Sequence, residues 1–182
     1  MKILAFEFSS PQRSVAVADA HASCEAIETD ARGANTLGMI ENVLLDAKLE
    51  REQIECLAIG LGPGSYTGIR TAIALAQGWQ LARDVKLLGI SSAECVAAQA
   101  QAEGFSGNAS VVIDAQRNEF YVARYEINPG GCREIEPLRL ASLADIQERE
   151  RSDEVLIGPE VTRWFPSGKI IFPRAASNIT AA

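Results

Sequence analysis

The chain has 182 residues, of which 47% are hydrophobic, 6% aromatic and 23% charged, which excludes a disordered or fibrous protein. Its 17 Lys and Arg against 24 Asp and Glu give a net charge of −7 at pH 7. A protein that grips DNA or RNA unaided is thereby excluded, because phosphate neutralisation needs a basic field.

The four cysteines, Cys24, Cys56, Cys95 and Cys132, are dispersed without a C-x-x-C. No stretch approaches the ~20 apolar residues that span a bilayer. Only four apolar residues separate Lys2 from Glu7, too few for a signal peptide. A cytoplasmic protein with reduced thiols and no membrane attachment is expected. His21 is the one histidine. It leaves no Ser-His-Asp triad, His-rich zinc site or H-E-x-x-H helix unless it serves itself, and it reads as an exposed hairpin tip.

Lys2–Phe8 opens the chain as a buried strand and ends in the breaker cluster Ser9-Ser10-Pro11-Gln12-Arg13. Ser14–Ala18 and Cys24–Thr29 continue an antiparallel meander. Asn35 or Thr36 then caps a helix whose apolar positions are Leu37, Ile40, Val43, Leu44 and Ala47. Ile54–Ile59 is a short strand, 60–65 a glycine-rich turn, Tyr66–Ala82 a long helix and Val85–Ile90 a strand. Ser91 or Ser92 caps a helix to Ala102, and Glu103–Asn108 is a loop. Ser110–Asp114 and Phe120–Ile127 form a hairpin, and 128–131 a turn. Leu138–Leu140 reads as a short strand, Leu143–Arg149 as a helix, Val155–Ile157 as a strand and Ala175–Ala182 as the start of a last helix. Both halves hold a strand, a polar turn, a partner strand and helices between later strands. This mixed α/β pattern predicts two related lobes, 1–91 and 92–182.

The turn carries Gly60-Leu61-Gly62-Pro63-Gly64-Ser65-Tyr66-Thr67-Gly68-Ile69-Arg70. Gly60, Gly62 and Gly64 permit backbone geometry that side chains forbid, Pro63 stiffens the turn, and Ser65 is placed to cap the helix. A helix N-terminus attracts anions, so phosphate binding and a purely structural strand-to-helix turn both remain open. It is neither a Walker A loop nor a G-x-G-x-x-G fingerprint. The helix that follows has a ladder of small residues, Gly68, Ala72 and Ala76, flanked by Ile69, Ile73 and Trp79. It is apolar or small nearly all round, and such a helix is covered on two sides. Its own sheet must take one side. The second falls to the same molecule or to another chain, and on the latter reading Leu37, Ile40, Gly68, Ile69, Ala72, Ile73 and Ala76 form a partner interface.

This eleven-residue run resembles the signature of the TsaB (YeaZ) family, whose usual form is close to G-x-G-P-G-S-F-T-G-x-R. Lys2–Val17 is similar to that family's opening strand, polar turn and S-V-A strand. Ile113-Asp114-Ala115-Gln116-Arg117-Asn118-Glu119-Phe120-Tyr121 is similar to its I-D-A-R-x-x-E-V-Y hairpin, and Val155–Pro159 to its late strand ending in Gly. The resemblance covers nearly the whole chain. It implies a two-lobed actin/hsp70/sugar-kinase-like (RNase H-like) α/β fold with mixed sheets flanked by helices. It also implies a role in bacterial synthesis of N6-threonylcarbamoyladenosine on tRNAs that read codons beginning with A. In that role the chain is a non-catalytic scaffold or activator, not a peptidase. Its partner is a TsaD-like subunit that holds metal and nucleotide and performs the transfer. A TsaE-like ATPase is implied as a third partner; without its partner the apolar helix surface is expected to pair two copies of the chain, and the acidic balance leaves tRNA to be met only through the complex.

Phosphotransferases of that fold keep a carboxylate on the first strand and another on a second phosphate hairpin. Glu7 and Asp114 stand at those places, with Ser9 and Ser10 in the first turn. Glu7 replaces the more usual Asp, Phe8 adds bulk, Pro11 withholds an N–H, and residues 1–32 contain no glycine. No cofactor is therefore expected in the isolated chain, with ATP and magnesium at most in a partner complex. The alternative is an independent small ATPase or kinase using Glu7 and Asp114 through water-bridged magnesium. The family's His before the first helix is replaced by Arg32-Gly33-Ala34-Asn35, so no role is carried over from it. The family's members run some tens of residues beyond the position of Ala182.

Overall fold

A computed structural model describes residues 1–20, 23–29 and 35–181. His21 and 32–34, singled out above, lie outside the described residues. The described chain forms two compact units, Met1–Ser92 with Arg174–Ala182, and Ala93–Pro173.

In the first unit, β1 (Ile3–Glu7), β2 (Arg13–Ala18), β3 (Ser23–Glu28), β4 (Cys56–Gly60) and β5 (Lys86–Ile90) form one sheet in the order β3-β2-β1-β4-β5. β1 is antiparallel to β2 and parallel to β4. Every residue of β1 and β4 is buried, because both faces of these central strands are covered. Leu4, Phe6, Leu57 and Ile59 face a core shared with α1 (Thr36–Asp46) and α2 (Tyr66–Arg83). The other face is paved with small residues, Ala5, Ala16, Cys56 and Ala58, against which α5 (Ala175–Ala181) packs Ala175 and Ile179.

In the second unit, α3 (Ser92–Ala102) leads from the first unit into β6 (Gly107–Gln116), β7 (Glu119–Asn128), β8 (Gly131–Ser142), α4 (Leu143–Arg151), β9 (Val155–Gly158) and β10 (Lys169–Ile170). The sheet order is β10-β9-β6-β7-β8, with β6 antiparallel to β7 and parallel to β9. Listed from the other edge this is the order of the first sheet, with β6 in the place of β1. The two lobes therefore share one topology, the two-lobed α/β architecture implied by the family resemblance.

Two expectations are corrected. The last helix does not stay with the second lobe: Ala175 N–H donates to Ser14 Oγ at 2.8 Å, and Arg174 pairs with Glu25 at 2.6 Å. Its apolar face fits the alanine-paved side of the first sheet, a return that sequence order does not display. The short strand at Leu138–Leu140 is part of a 12-residue edge strand. That strand is charged and half exposed, held partly by Arg133–Glu126 and Arg124–Glu136 ion pairs, and so lacks a strand's apolar alternation. β10, with 2 residues, is too short to leave a pattern.

Candidate functional site

The glycine signature is a close-packing device built around Glu7. β1 ends at Glu7, which is fully buried. Its Oε1 accepts from Ser9 N–H at 2.9 Å, its Oε2 from Ser92 Oγ at 3.1 Å and from Asn178 Nδ2 at 3.5 Å. Ser92 Oγ in turn accepts from Gly62 N–H at 3.1 Å. A Cβ on Gly60 would overlap the Glu7 carboxylate, one on Gly64 the Ser9 carbonyl, and one on Gly68 the Phe8 carbonyl. Gly62 and Gly64 also have positive φ, 88° and 146°, which side chains disfavour. Ser65 Oγ accepts from Gly68 N–H at 3.3 Å and caps α2. Thr67 lends its carbonyl to Thr71 Oγ1, while Arg70 lies over the Tyr66 ring. Pro63 is half-buried in the turn.

Burial pushes the Glu7 carboxyl above its ordinary value, against the lowering effect of its Ser9, Ser92 and Asn178 hydrogen bonds. Ser9 and Ser10 are buried too, and Ser10 Oγ is spent on the Gln12 carbonyl at 2.7 Å. A magnesium–nucleotide does not fit these residues: a carboxylate with no exposed surface and donors from its own chain on both oxygens offers nothing to a hydrated cation. Asp114, in the other unit, caps its own turn by accepting from Gln116 N–H at 2.6 Å. It makes no ion pair with Arg117 among the described residues. Gln116, Arg117 and Asn118 follow at φ 67°, 57° and 62°, a left-handed run that costs of order 1–2 kcal/mol per residue.

The expected partner interface is half wrong. Gly68, Ala72 and Ala76 are buried against the protein's own sheet, and Ile40 is 2% exposed in the same core. Gly68 has to be small because the first turn of α2 lies on the carbonyl of Phe8 in the β1–β2 turn. Ile69 and Ile73 are half-buried, and Leu37 alone of the expected set is well exposed, at 60%. Between α1 and α2 runs a groove of ≈ 300 Å³ lined by Leu37, Ile40, Leu75, Trp79 and Ala82, with Arg51, Glu52 and Arg83 at its rim. Beyond it, α2 turns Ala74, Gly78 and Leu81 to solvent, Leu81 at 91%. Tyr66 and Leu45 are exposed too. These residues belong to no motif. Their one signal is a second ladder at the same spacing, Ala74, Gly78 and Ala82, which the first ladder masks.

The family model described as TsaD, tRNA N6-adenosine threonylcarbamoyltransferase, matches residues 30–179. The chain is 29% identical over 137 residues to the tRNA threonylcarbamoyladenosine biosynthesis protein TsaB of Escherichia coli, covering 73% of this chain and 59% of that protein. The chain belongs to the TsaB/YeaZ family. The TsaB of Bacillus subtilis is 28% identical over 116 residues, 62% of this chain and 50% of its own. This TsaB/YeaZ chain thus spans about half the length of the curated relatives it matches. YeaZ from Pseudomonas aeruginosa shares its fold, with a TM-score of 0.83 at 22% identity over 98% of this chain and 89% of that one. No described helix is long and apolar enough to cross a membrane.

Proposed function

We propose that this chain is a non-catalytic partner subunit in the formation of N6-threonylcarbamoyladenosine on tRNA, docking a TsaD-like subunit through the outer faces of α1 and α2. The names of its relatives and the family match support that process. The observation that carries the docking reading is the apolar groove between α1 and α2, with Leu37 and Leu81 beside it and, among the described residues, exposed to solvent. Contiguous apolar surface rimmed by charge marks a protein interface, and its anchors would be Leu37, Leu75 and Trp79. The sealed Glu7 supports a subunit without phosphoryl chemistry in its first lobe. On this reading a TsaE-like ATPase joins the complex, tRNA is met through it, and the cytoplasm is where it works. Without its partner the groove pairs two copies of the chain.

The test is co-purification with the TsaD-like subunit of the same organism, followed by nucleoside analysis of tRNA modified with and without this chain. Leu37→Asp with Leu81→Asp leaves the melting temperature within about 2 °C, since surface changes cost little, yet abolishes the complex and the modification. In sedimentation the wild type dimerises at high micromolar concentration and the double variant does not. Retained TsaD binding by the double variant overturns the docking surface.

A further inference from the structure

The chain leaves the first unit after Ser92 and returns to it at Arg174. The first-unit ends of both crossings are fastened to one side chain. Ser92, which opens α3, donates its hydroxyl to Glu7 Oε2 at 3.1 Å and lies 3.3 Å from Oε1. It also exchanges two bonds with the glycine turn: its N–H donates to the Gly62 carbonyl at 2.8 Å, and its Oγ accepts from Gly62 N–H at 3.1 Å. Asn178, in the returning α5, turns its side chain to the end of β1, where Nδ2 donates to the Phe6 carbonyl at 3.1 Å and to Glu7 Oε2 at 3.5 Å. Ser9 N–H holds Oε1 from the β1–β2 turn at 2.9 Å. Glu7, Ser92 and Asn178 each have 0% of their surface exposed, so water competes for none of these bonds.

We propose that Glu7 is a clasp that joins the two crossings into one cooperative element, so that the start of α3 and α5 open together. Donors reach the carboxyl at each of its oxygens, Ser9 N–H at Oε1 and the Asn178 amide at Oε2, with the Ser92 hydroxyl within reach of both. Only a group with an acceptor at each end can hold them all; a glutamine in its place ends in one acceptor and one donor. Lifting either Ser92 or Asn178 leaves a buried polar atom short of a partner, which costs more than the bond contributes when made and weakens the grip on the other segment. Local packing alone does not call for this arrangement: Ser9 is a chain neighbour, whereas Ser92 and Asn178 come from 85 and 171 residues away. The clasp gives a mechanical role to a carboxyl that stands where phosphotransferases of this fold keep theirs and that does not fit a metal–nucleotide here. It involves no ligand and no bond cleavage, and it stands whether or not α1 and α2 form a docking face.

The test is amide hydrogen exchange of the full chain, read residue by residue by NMR, with thermal melts showing that each variant folds. Asn178→Ala speeds exchange of the Ser9 and Ser92 amides, in segments to which it does not belong, about tenfold, the effect expected of one lost buried hydrogen bond. Ser92→Ala does the same to the Ala175 and Ala176 amides, which donate to Ser14 Oγ and Glu25 Oε1. Glu7→Gln keeps the Ser9 amide protected, because the new side-chain oxygen still accepts from it. The same variant speeds exchange at Ala175 and Ala176 about tenfold, because its amide nitrogen then faces the Asn178 amide, donor against donor. Ile179→Ala thins the packing of α5 on the alanine floor and removes no bond to Glu7, so it speeds the α5 amides alone. The proposal falls if Asn178→Ala and Ser92→Ala each loosen only their own segment. It also falls if Ile179→Ala loosens Ser9 and Ser92 as much as Asn178→Ala does, because the coupling then runs through the sheet, or if Glu7→Gln leaves α5 as protected as in the wild type.

Discussion

Two glycines in one helix make a matched test of which side of α2 faces inward. Gly68→Ala and Gly78→Ala bring the same intrinsic gain, about 0.5–1 kcal/mol for alanine over glycine inside a helix. At position 78 nothing lies within 4 Å of the added methyl, so the gain is kept and the protein is stabilised by about 0.5–1 kcal/mol. At position 68 the methyl runs into the Phe8 carbonyl oxygen, with the Phe8 carbonyl carbon at 3.0 Å. Backbone does not swing aside as a side-chain tip does, and Phe8 is itself fully buried. Lifting the first turn of α2 off the β1–β2 turn is an overpacking cost of about 1–3 kcal/mol, which outweighs the propensity gain. With about 2–4 °C per kcal/mol for a chain of this size, Gly68→Ala, at a net loss of up to about 2.5 kcal/mol, melts up to about 10 °C below wild type and Gly78→Ala about 1–4 °C above it. Scanning calorimetry with urea midpoints at unchanged slope reads both. If Gly68→Ala matches the wild type while Gly78→Ala melts lower, the wrong ladder has been assigned to the core and the docking face collapses with it.

Three further outcomes follow from buried polar groups and the exposed face. Because Glu7 has a folded-state pKa above its ordinary 4.5, its contribution is complete at low pH and declines as pH rises through and above 4.5. Glu7→Gln keeps the acceptor for Ser9 and flattens that decline, so urea midpoints measured across pH 5–8 fall less in the variant than in the wild type. Arg149→Met removes one of two cations from Glu154, whose side chain is 13% exposed, and from Glu136, which it meets at 2.5 Å, leaving Arg124 against both. The expected loss of about 1 kcal/mol shows in thermal melts, and Arg149→Met with Glu136→Gln recovers part of it. The Leu37→Asp, Leu81→Asp pair separates docking from folding, because only the complex is lost.

Most of the first lobe was legible because its pattern is local. The apolar run before Glu7, the Asn35 and Ser65 caps and the glycine turn each announce an element within a few residues. The direction of α2 was not legible: Gly68-Ala72-Ala76 and Ala74-Gly78-Ala82 have equal spacing and similar size, and only the Phe8 carbonyl pressed on Gly68 separates them. Ile40 was read as an interface residue because an apolar helix position does not say whether its neighbour is in the same molecule. Glu7 was recognised as a strand-end carboxylate, but its burial depends on Ser92 and Asn178, 85 and 171 residues away. The groove followed neither motif nor periodicity, since Leu37, Trp79 and Ala82 come together only when two helices lie side by side.

The closing helix has a consequence for how the molecule is made. Because α5 belongs to the unit begun by β1, a ribosome must synthesise the whole of Ala93–Pro173 between the two parts of one body. At roughly 5–20 residues per second that is an interval of several seconds in which the alanine floor of the first sheet lies bare and the donors of Asn178 have not emerged. The continuous second body is complete sooner after it begins than the interrupted first one, so a nascent chain carries a finished rear half while its front half still waits for its lid.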